Sequence, residues 1–322
     1  MAKQARPIIS KIIWVIVFVL AFALVLSTGC GGETPGAQNP NAPQKKEKNK
    51  DEKGTYVAPE FKDSAFHADL AQSNGIMSVD VSAVNEGYVA VSGNSSVRLK
   101  FQVIKDDVTY NYDLASDGTP SVFPLQSGNG YYAFRVMENI VDNKYAVAFE
   151  TGAEVAMADE FQPYLRPSDY AAYTRESECV KKAQELAYSA DSAADVIGAV
   201  YDFVCKTVKY DTPKAETVES GYLPDPDETM STGKGICFDY ATLAASMLRS
   251  QGIPTKIIFG YVAPDDLYHA WNMFYTTEEG WVTVEFKVDP NNWTRLDLTF
   301  SANGSNSKFI GDGTNYSDVY EY

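Results

Sequence analysis

The sequence is poor in the side chains that most enzyme chemistry uses. In 322 residues it has two histidines, His67 and His269, and four cysteines. Any imidazole chemistry is therefore confined to two positions. Four cysteines are too few for a disulfide-stapled mini-fold or a repeated zinc module. No Cys, His and carboxylate set stands at metal-ligand spacing, and no glycine-rich phosphate cradle follows a strand pattern, so neither a metal nor a cofactor is expected. Positive charge is also scarce: 27 Lys and Arg face 43 Asp and Glu, for a net charge of −16. A chain this acidic does not neutralise a phosphate backbone, which excludes nucleic acid as a partner. Apolar residues are not lacking. At 45% hydrophobic and 13% aromatic, the chain has material for packed cores of about two domains.

The first residues read as an address. Lys3, Arg6 and Lys11 precede an uninterrupted apolar run from Ile12 to Leu26, shorter than the roughly 20 residues of a comfortable membrane span. The run ends in Leu-Ser-Thr-Gly-Cys, residues 26–30. This resembles the bacterial lipobox, which implies cleavage after residue 29, lipidation of Cys30, and an extracytoplasmic protein anchored in the cell membrane. An ordinary secretory signal or an uncleaved anchor is the competing reading. Residues 30–60 hold Gly, Pro and Asn clusters followed by mixed charge, the composition of a flexible tether. Removing residues 1–29 leaves 24 basic residues against 43 acids, a charge of −19 carried by the folded part. That charge suits solubility outside the cell.

From residue 61 to about 155 the apolar period is two. Val97, Leu99, Phe101 and Val103 alternate with polar neighbours, as do Val79, Val81 and Ala83, and Tyr110 and Tyr112. Turn residues such as Gly93-Asn94-Ser95 and Gly128-Asn129-Gly130 separate the runs. Several half-buried strands joined by hairpins predict a small β-sandwich-like domain. His67 lies here beside Phe66 with no ligand partner at useful spacing, and reads as structural.

After residue 160 the pattern becomes helical. Ser177 caps a predicted helix reaching about Ala190, and Asp191 and Ser192 cap a second bearing Val196, Ala199, Val200, Phe203 and Val204 on one face. A structureless loop is expected from Lys209 to Lys234, long enough to line or cover a site. Gly235-Ile236-Cys237-Phe238-Asp239-Tyr240 then opens an apolar helix with Cys237 in its first turn. Unpaired N–H groups and the positive dipole end there favour a thiolate and can bond an oxyanion. Strands are predicted at 255–262, 268–275 and 281–286, with His269 on the second. A cysteine at a helix start, followed by a histidine and then an acid on successive strands, is the layout of cysteine acyl-transfer enzymes, although a buried cysteine is also often an inert small hydrophobe. Cys179 and Cys205, on the two preceding helices, read as packed thiols rather than a disulfide.

Gly-Ile-Cys-Phe-Asp-Tyr-Ala at 235–241 is similar to the nucleophile motif of the transglutaminase-like superfamily. Gly252-Ile253-Pro254-Thr255-Lys256, Gly260-Tyr261, Tyr268-His269-Ala270-Trp271-Asn272 and Gly280-Trp281 follow in that family's order. Leu296-Asp297-Leu298-Thr299-Phe300 and Gly313-Thr314-Asn315-Tyr316 take the places of its closing motifs. The resemblance covers residues 160–322. It implies an α+β fold: a papain-like transglutaminase core, with a helix packed on an antiparallel sheet, after the sandwich-like domain.

By that resemblance Cys237 is the nucleophile, His269 the general base and then acid, and Asp297 the residue that orients the imidazole. Glu285 and Asp289 are rival acids; Asp297 is preferred because Thr299-Phe300 continues the motif. Leu298 replaces the usual proline, which leaves the backbone after Asp297 less secured. Tyr210 and Tyr222 are the oxyanion candidates. The implied activity is transamidation, or peptide or amide hydrolysis, on protein or peptide amides at the cell surface. The alternatives are a non-catalytic peptide- or protein-binding module on the same fold and a purely structural envelope protein.

Overall fold

A computed structural model of the protein describes residues 52–263, 266–278, 291–303 and 315–322. The lipobox and Cys30, residues 31–51 of the tether, Gly280-Trp281, Glu285, Asp289 and the strand expected at 281–286 lie outside the described residues. Among the described residues no helix is long and apolar enough to cross a membrane.

The alternating segment folds into two antiparallel four-stranded sheets. One has the order β1 (Gln72–Ser73), β2 (Met77–Asp80), β3 (Tyr88–Gly93), β6 (Ser121–Pro124). The other has the order β5 (Val108–Leu114), β4 (Leu99–Lys105), β7 (Gly130–Val141), β8 (Lys144–Val155). Strand β4 shows the period directly: Leu99, Phe101 and Val103 are buried and the residues between them are not. Phe101 and Tyr112 of the second sheet stack on Phe123 of the first, with ring centroids 5.4 and 4.2 Å apart, so the sheets share one core. His67 serves that fold. Its backbone N–H and its Nδ1 both meet the buried carboxylate of Asp80, at 2.7 and 2.9 Å.

The second half is helical, then sheet. Helix α1 spans Glu178–Ala187 and α2 spans Ala193–Thr207, the latter capped by Ser192 Oγ accepting from Asp195 N at 3.1 Å. The segment expected to be structureless is not. It holds β9 (Lys209–Tyr210), α3 (Thr212–Thr217), α4 (Pro226–Thr232) and β10 (Lys234–Gly235). Asp211 and Asp225 cap these short helices, each with a proline in the first turn, a start signal that the acidic, Pro-containing composition hid.

Helix α5 (Cys237–Ser250) is buried from Phe238 to Ser250. It lies on the antiparallel sheet β13 (Asn292–Leu296), β12 (Leu267–Thr276), β11 (Thr255–Val262), β14 (Tyr316–Glu321), with α6 (Leu298–Ala302) after β13. Asn272 on β12 donates to Ala241 O at 3.0 Å and fixes the helix on the sheet.

The two halves share aromatic packing. Tyr322 stacks on Tyr170 at 4.0 Å and meets Tyr112 edge-on at 5.8 Å. Arg249, 2% exposed at the end of α5, donates to three main-chain carbonyls: Thr255, Arg166 and Tyr322, at 2.8, 3.1 and 2.9 Å. The tether expected to reach residue 60 is already held at Gly54. Gly54 and Tyr56 N–H groups bond Tyr188 and Ala190 carbonyls, left free where α1 ends, and the Tyr56 hydroxyl bonds Gln251 O at 2.7 Å.

Candidate active site

The turn before α5 is built around one carboxylate. Ile236 is the N-cap and has no side-chain acceptor of its own. Asp239, at the third helical position, reaches back so that its Oδ2 accepts Ile236 N–H at 2.7 Å. That posture explains Gly235: a Cβ there would lie 2.5 Å from Asp239 Cβ. Cys237, the first residue of α5, is the only member of the helix not buried. Its sulfur therefore sits at the positive end of a helix whose remaining residues are packed.

His269 reaches the same place from β12. Opposite it on β11 is Gly260, where a Cβ would lie 2.8 Å from the Trp271 ring. The imidazole is 4% exposed and stacks on Phe300 at 4.5 Å. Its Nε2 donates to Asp297 Oδ2 at 2.9 Å. The Cys237 side chain interacts with the same ring, and Nδ1 is the nitrogen left for it. Burial works against a charged ring, but the Asp297 carboxylate and the Cys237 sulfur outweigh it and push the His269 pKa up to about 10.

Asp297 follows β13, whose pairing Asn272↔Leu296 brings it beside His269. The missing proline is compensated. Asp297 is the N-cap of α6, with Oδ1 accepting Phe300 N–H at 3.0 Å and its carbonyl accepting Ser301 Oγ–H at 2.7 Å. Tyr316 donates its hydroxyl to Asp297 Oδ2 at 2.9 Å. Burial and the Asp297 charge hold that phenol well above its ordinary pKa, so it remains a donor. The Tyr316 ring packs edge-on against Trp271 at 4.8 Å, with the Arg295 guanidinium 4.3 Å over it.

The two tyrosines expected to assist an oxyanion separate. Tyr210 is 38% exposed, and its main chain pairs with Gly235, immediately before the Cys237 turn. Burial, then the charge of Cys237, raise its pKa. The Tyr222 hydroxyl instead donates to Asp239 Oδ1 at 2.6 Å, so its proton is committed away from any oxyanion. Cys179 and Cys205 are free thiols, as their reading as packed side chains required. Burial raises both, Cys205 to about 12.

The structure thus brings Cys237, His269 and Asp297 together, keeps Tyr210 beside them and turns Tyr222 away. Sequence reasoning assigned no role to Tyr316 or Asp239. Both were visible in the quoted motifs, Tyr316 as the last residue of the closing stretch and Asp239 two places after the cysteine, but neither position reveals its partner.

Residues 180–298 match the profile described as the transglutaminase-like superfamily. Among curated proteins, the UPF0252 protein MJ1282 of Methanocaldococcus jannaschii is 34% identical over 82 residues, 23% of this chain and 23% of that protein. An uncharacterized protein of Mycobacterium tuberculosis is 27% identical over 104 residues, 29% of this chain and 31% of its own. The chain thus covers less than a third of either relative's length. Among solved structures, a candidate cysteine protease from Cytophaga hutchinsonii superposes at TM-score 0.38 and 13% identity over 72% of this chain and 73% of that one. Red sea bream transglutaminase does so at 0.27 and 13% over 66% and 48%. With TM-scores under 0.5 these neighbours decide nothing about the site, and the likeness rests on the matched segment. The segment from residue 180 to residue 298, which contains Cys237, His269 and Asp297, is similar to the transglutaminase-like superfamily.

Proposed function

We propose that the protein is a cysteine-dependent acyl-transfer enzyme acting on protein or peptide carboxamides at the cell surface, held to the membrane through a lipid on Cys30. One observation carries the chemistry: a buried imidazole bound to Asp297 at 2.9 Å faces the one solvent-reachable residue of a buried helix, a cysteine in its first turn. The Cys237 sulfur attacks the carboxamide carbon and forms a C–S bond. The oxyanion is met by the N–H groups of the α5 first turn, with Tyr210, whose main chain pairs with Gly235 just before that turn, as the side-chain donor. His269, charged through neutral pH, gives its proton to the departing nitrogen as the C–N bond breaks, which leaves an acyl-thioester and a neutral ring. Water or an amine then adds to the thioester while His269 takes its proton. The thiolate leaves and a carboxylic acid or a new amide is released. Asp297 keeps the ring in place and stabilises its charged form.

The test is release of amine from carboxamide peptides, together with incorporation of a labelled primary amine, by the wild-type protein and by Cys237→Ala and His269→Ala. Both variants are expected to lose at least a hundredfold. Full activity in Cys237→Ala sinks the proposal. Incorporation of a tagged fatty acid that is lost in Cys30→Ser tests the anchor.

A further inference from the structure

Asp239 holds more than its helix. It is fully buried, and capping α5 uses only its Oδ2. Three further donors, from separate segments, converge on Oδ1. Lys214 Nζ of α3 donates at 2.8 Å, the Tyr222 hydroxyl at 2.6 Å, and Thr229 Oγ of α4 at 3.4 Å. Lys214 also donates to the Tyr222 oxygen at 2.6 Å, so ammonium, phenol and carboxylate close a triangle. The segment 209–222 is therefore fastened twice. Its start is held by main-chain pairing, with Lys209 N bonding Gly233 O and Asp211 N bonding Gly235 O, both at 2.9 Å. Its far part is held by Lys214 and Tyr222. Tyr210 lies within this doubly fastened strap, beside Cys237.

The charges matter as much as the geometry. A bare carboxylate two residues from Cys237 would repel a thiolate through an interior that screens poorly. Among the described residues, the titratable groups that interact with that carboxylate are Lys214, Tyr222 and Tyr210, of which Lys214 is the cation, while Cys237 is met by His269, Tyr210 and Tyr268.

We infer that Lys214, Tyr222 and Asp239 form a buried clasp that positions the Tyr210 strap against the Cys237 turn and neutralises the carboxylate next to the nucleophile. These are positioning residues, and their assignment rests on Cys237 being the nucleophile. An ion pair that only supported the fold would not need to join the turn before the cysteine to the strand bearing Tyr210.

The test uses the full chain and iodoacetamide, with the labelled site identified by peptide mass. The rate at Cys237 is followed from pH 5 to 9, and hydrogen exchange over residues 209–222 is measured alongside. Lys214→Met is expected to slow labelling at pH 6.5 about tenfold, move the profile to higher pH and speed exchange in the strap. Lys214→Arg should label within about twofold of wild type. Lys214→Met combined with Asp239→Asn removes both charges and should recover the low-pH rate to within about threefold, although exchange stays fast. An unchanged profile in Lys214→Met, or a double variant as slow as the single one, overturns the inference. If Lys214→Met does not fold, Tyr222→Phe, which leaves the Lys214–Asp239 pair intact, is read by the same two measures. It should label about threefold slower with faster strap exchange, and wild-type behaviour overturns the inference. A wild-type Cys237 that labels no faster than a free peptide thiol would instead sink the proposed function, whatever the clasp does.

Discussion

Asp297→Asn removes the main attraction that keeps His269 charged while preserving the shape of the side chain. The ring is 4% exposed, so once the carboxylate is neutral the remaining large influence is burial, which favours the neutral imidazole. A rise from the ordinary 6.5 to about 10 represents several kcal/mol of preference for the charged ring, at about 1.4 kcal/mol per tenfold. Most of that preference comes from Asp297 and the rest from Cys237. The sequence makes the measurement direct, because it has two histidines and the imidazole resonances of His67 and His269 are the only ones to assign. In the wild type, His269 should remain protonated at pH 8 by NMR. In Asp297→Asn its titration should fall by two units or more. Stability follows the same sign. His269 binds its proton more tightly folded than unfolded, so its contribution is fully present below about 6.5 and lost as pH rises through about 10. Denaturant midpoints of the wild type should fall over that window more steeply than those of the variant. A wild-type His269 titrating near 6.5, or one unmoved by Asp297→Asn, would refute the reasoning.

Other perturbations have defined outcomes. Tyr316→Phe deletes one of two donors to Asp297 Oδ2 at 2.9 Å and leaves the ring against Trp271. At the low end of about 1.5–3 kcal/mol for a charge-assisted bond, acyl transfer should fall about tenfold, while the His269 pKa stays or rises because Oδ2 has lost a competing donor; unchanged activity would make Tyr316 a packing residue only. Gly235→Ala places a Cβ 2.5 Å from that of Asp239. The variant should lose about 1–3 kcal/mol of stability together with its Cys237 labelling rate, whereas a wild-type melting profile would mean the turn can shift. Arg249→Lys keeps the charge but cannot fork to the carbonyls of Thr255, Arg166 and Tyr322. At about 1–3 kcal/mol for each stranded carbonyl, the thermal midpoint should drop by several degrees, and a drop under one degree would show that water replaces the fork.

Legibility in the sequence followed the range of each interaction. The sandwich strands were readable because burial in β4 alternates within the element itself. Helix α5 was readable because its apolar residues and its glycine-flanked start are contiguous. The helices at 212–217 and 226–232 were missed because each is a single capped turn or two with no apolar period to betray it. Tyr210 and Tyr222 looked equivalent in sequence, and only the position of Asp239 separated them.

By itself, the sequence determined which side chains were available: a cysteine at the glycine-flanked start of an apolar helix, a histidine on a later strand, and a single other histidine, His67, in the sandwich segment. Those features depend on residue type and local period. The tertiary structure decided which acid meets the histidine, through the pairing of β13 on β12, and which residues hold that acid, through Tyr316 on a strand that pairs on the far side of β11. It also placed Lys214, Tyr222 and Asp239 at one point. Such partnerships join residues distant along the chain, and nothing in either partner's own neighbourhood specifies the other until the sheet order and the strand register are set.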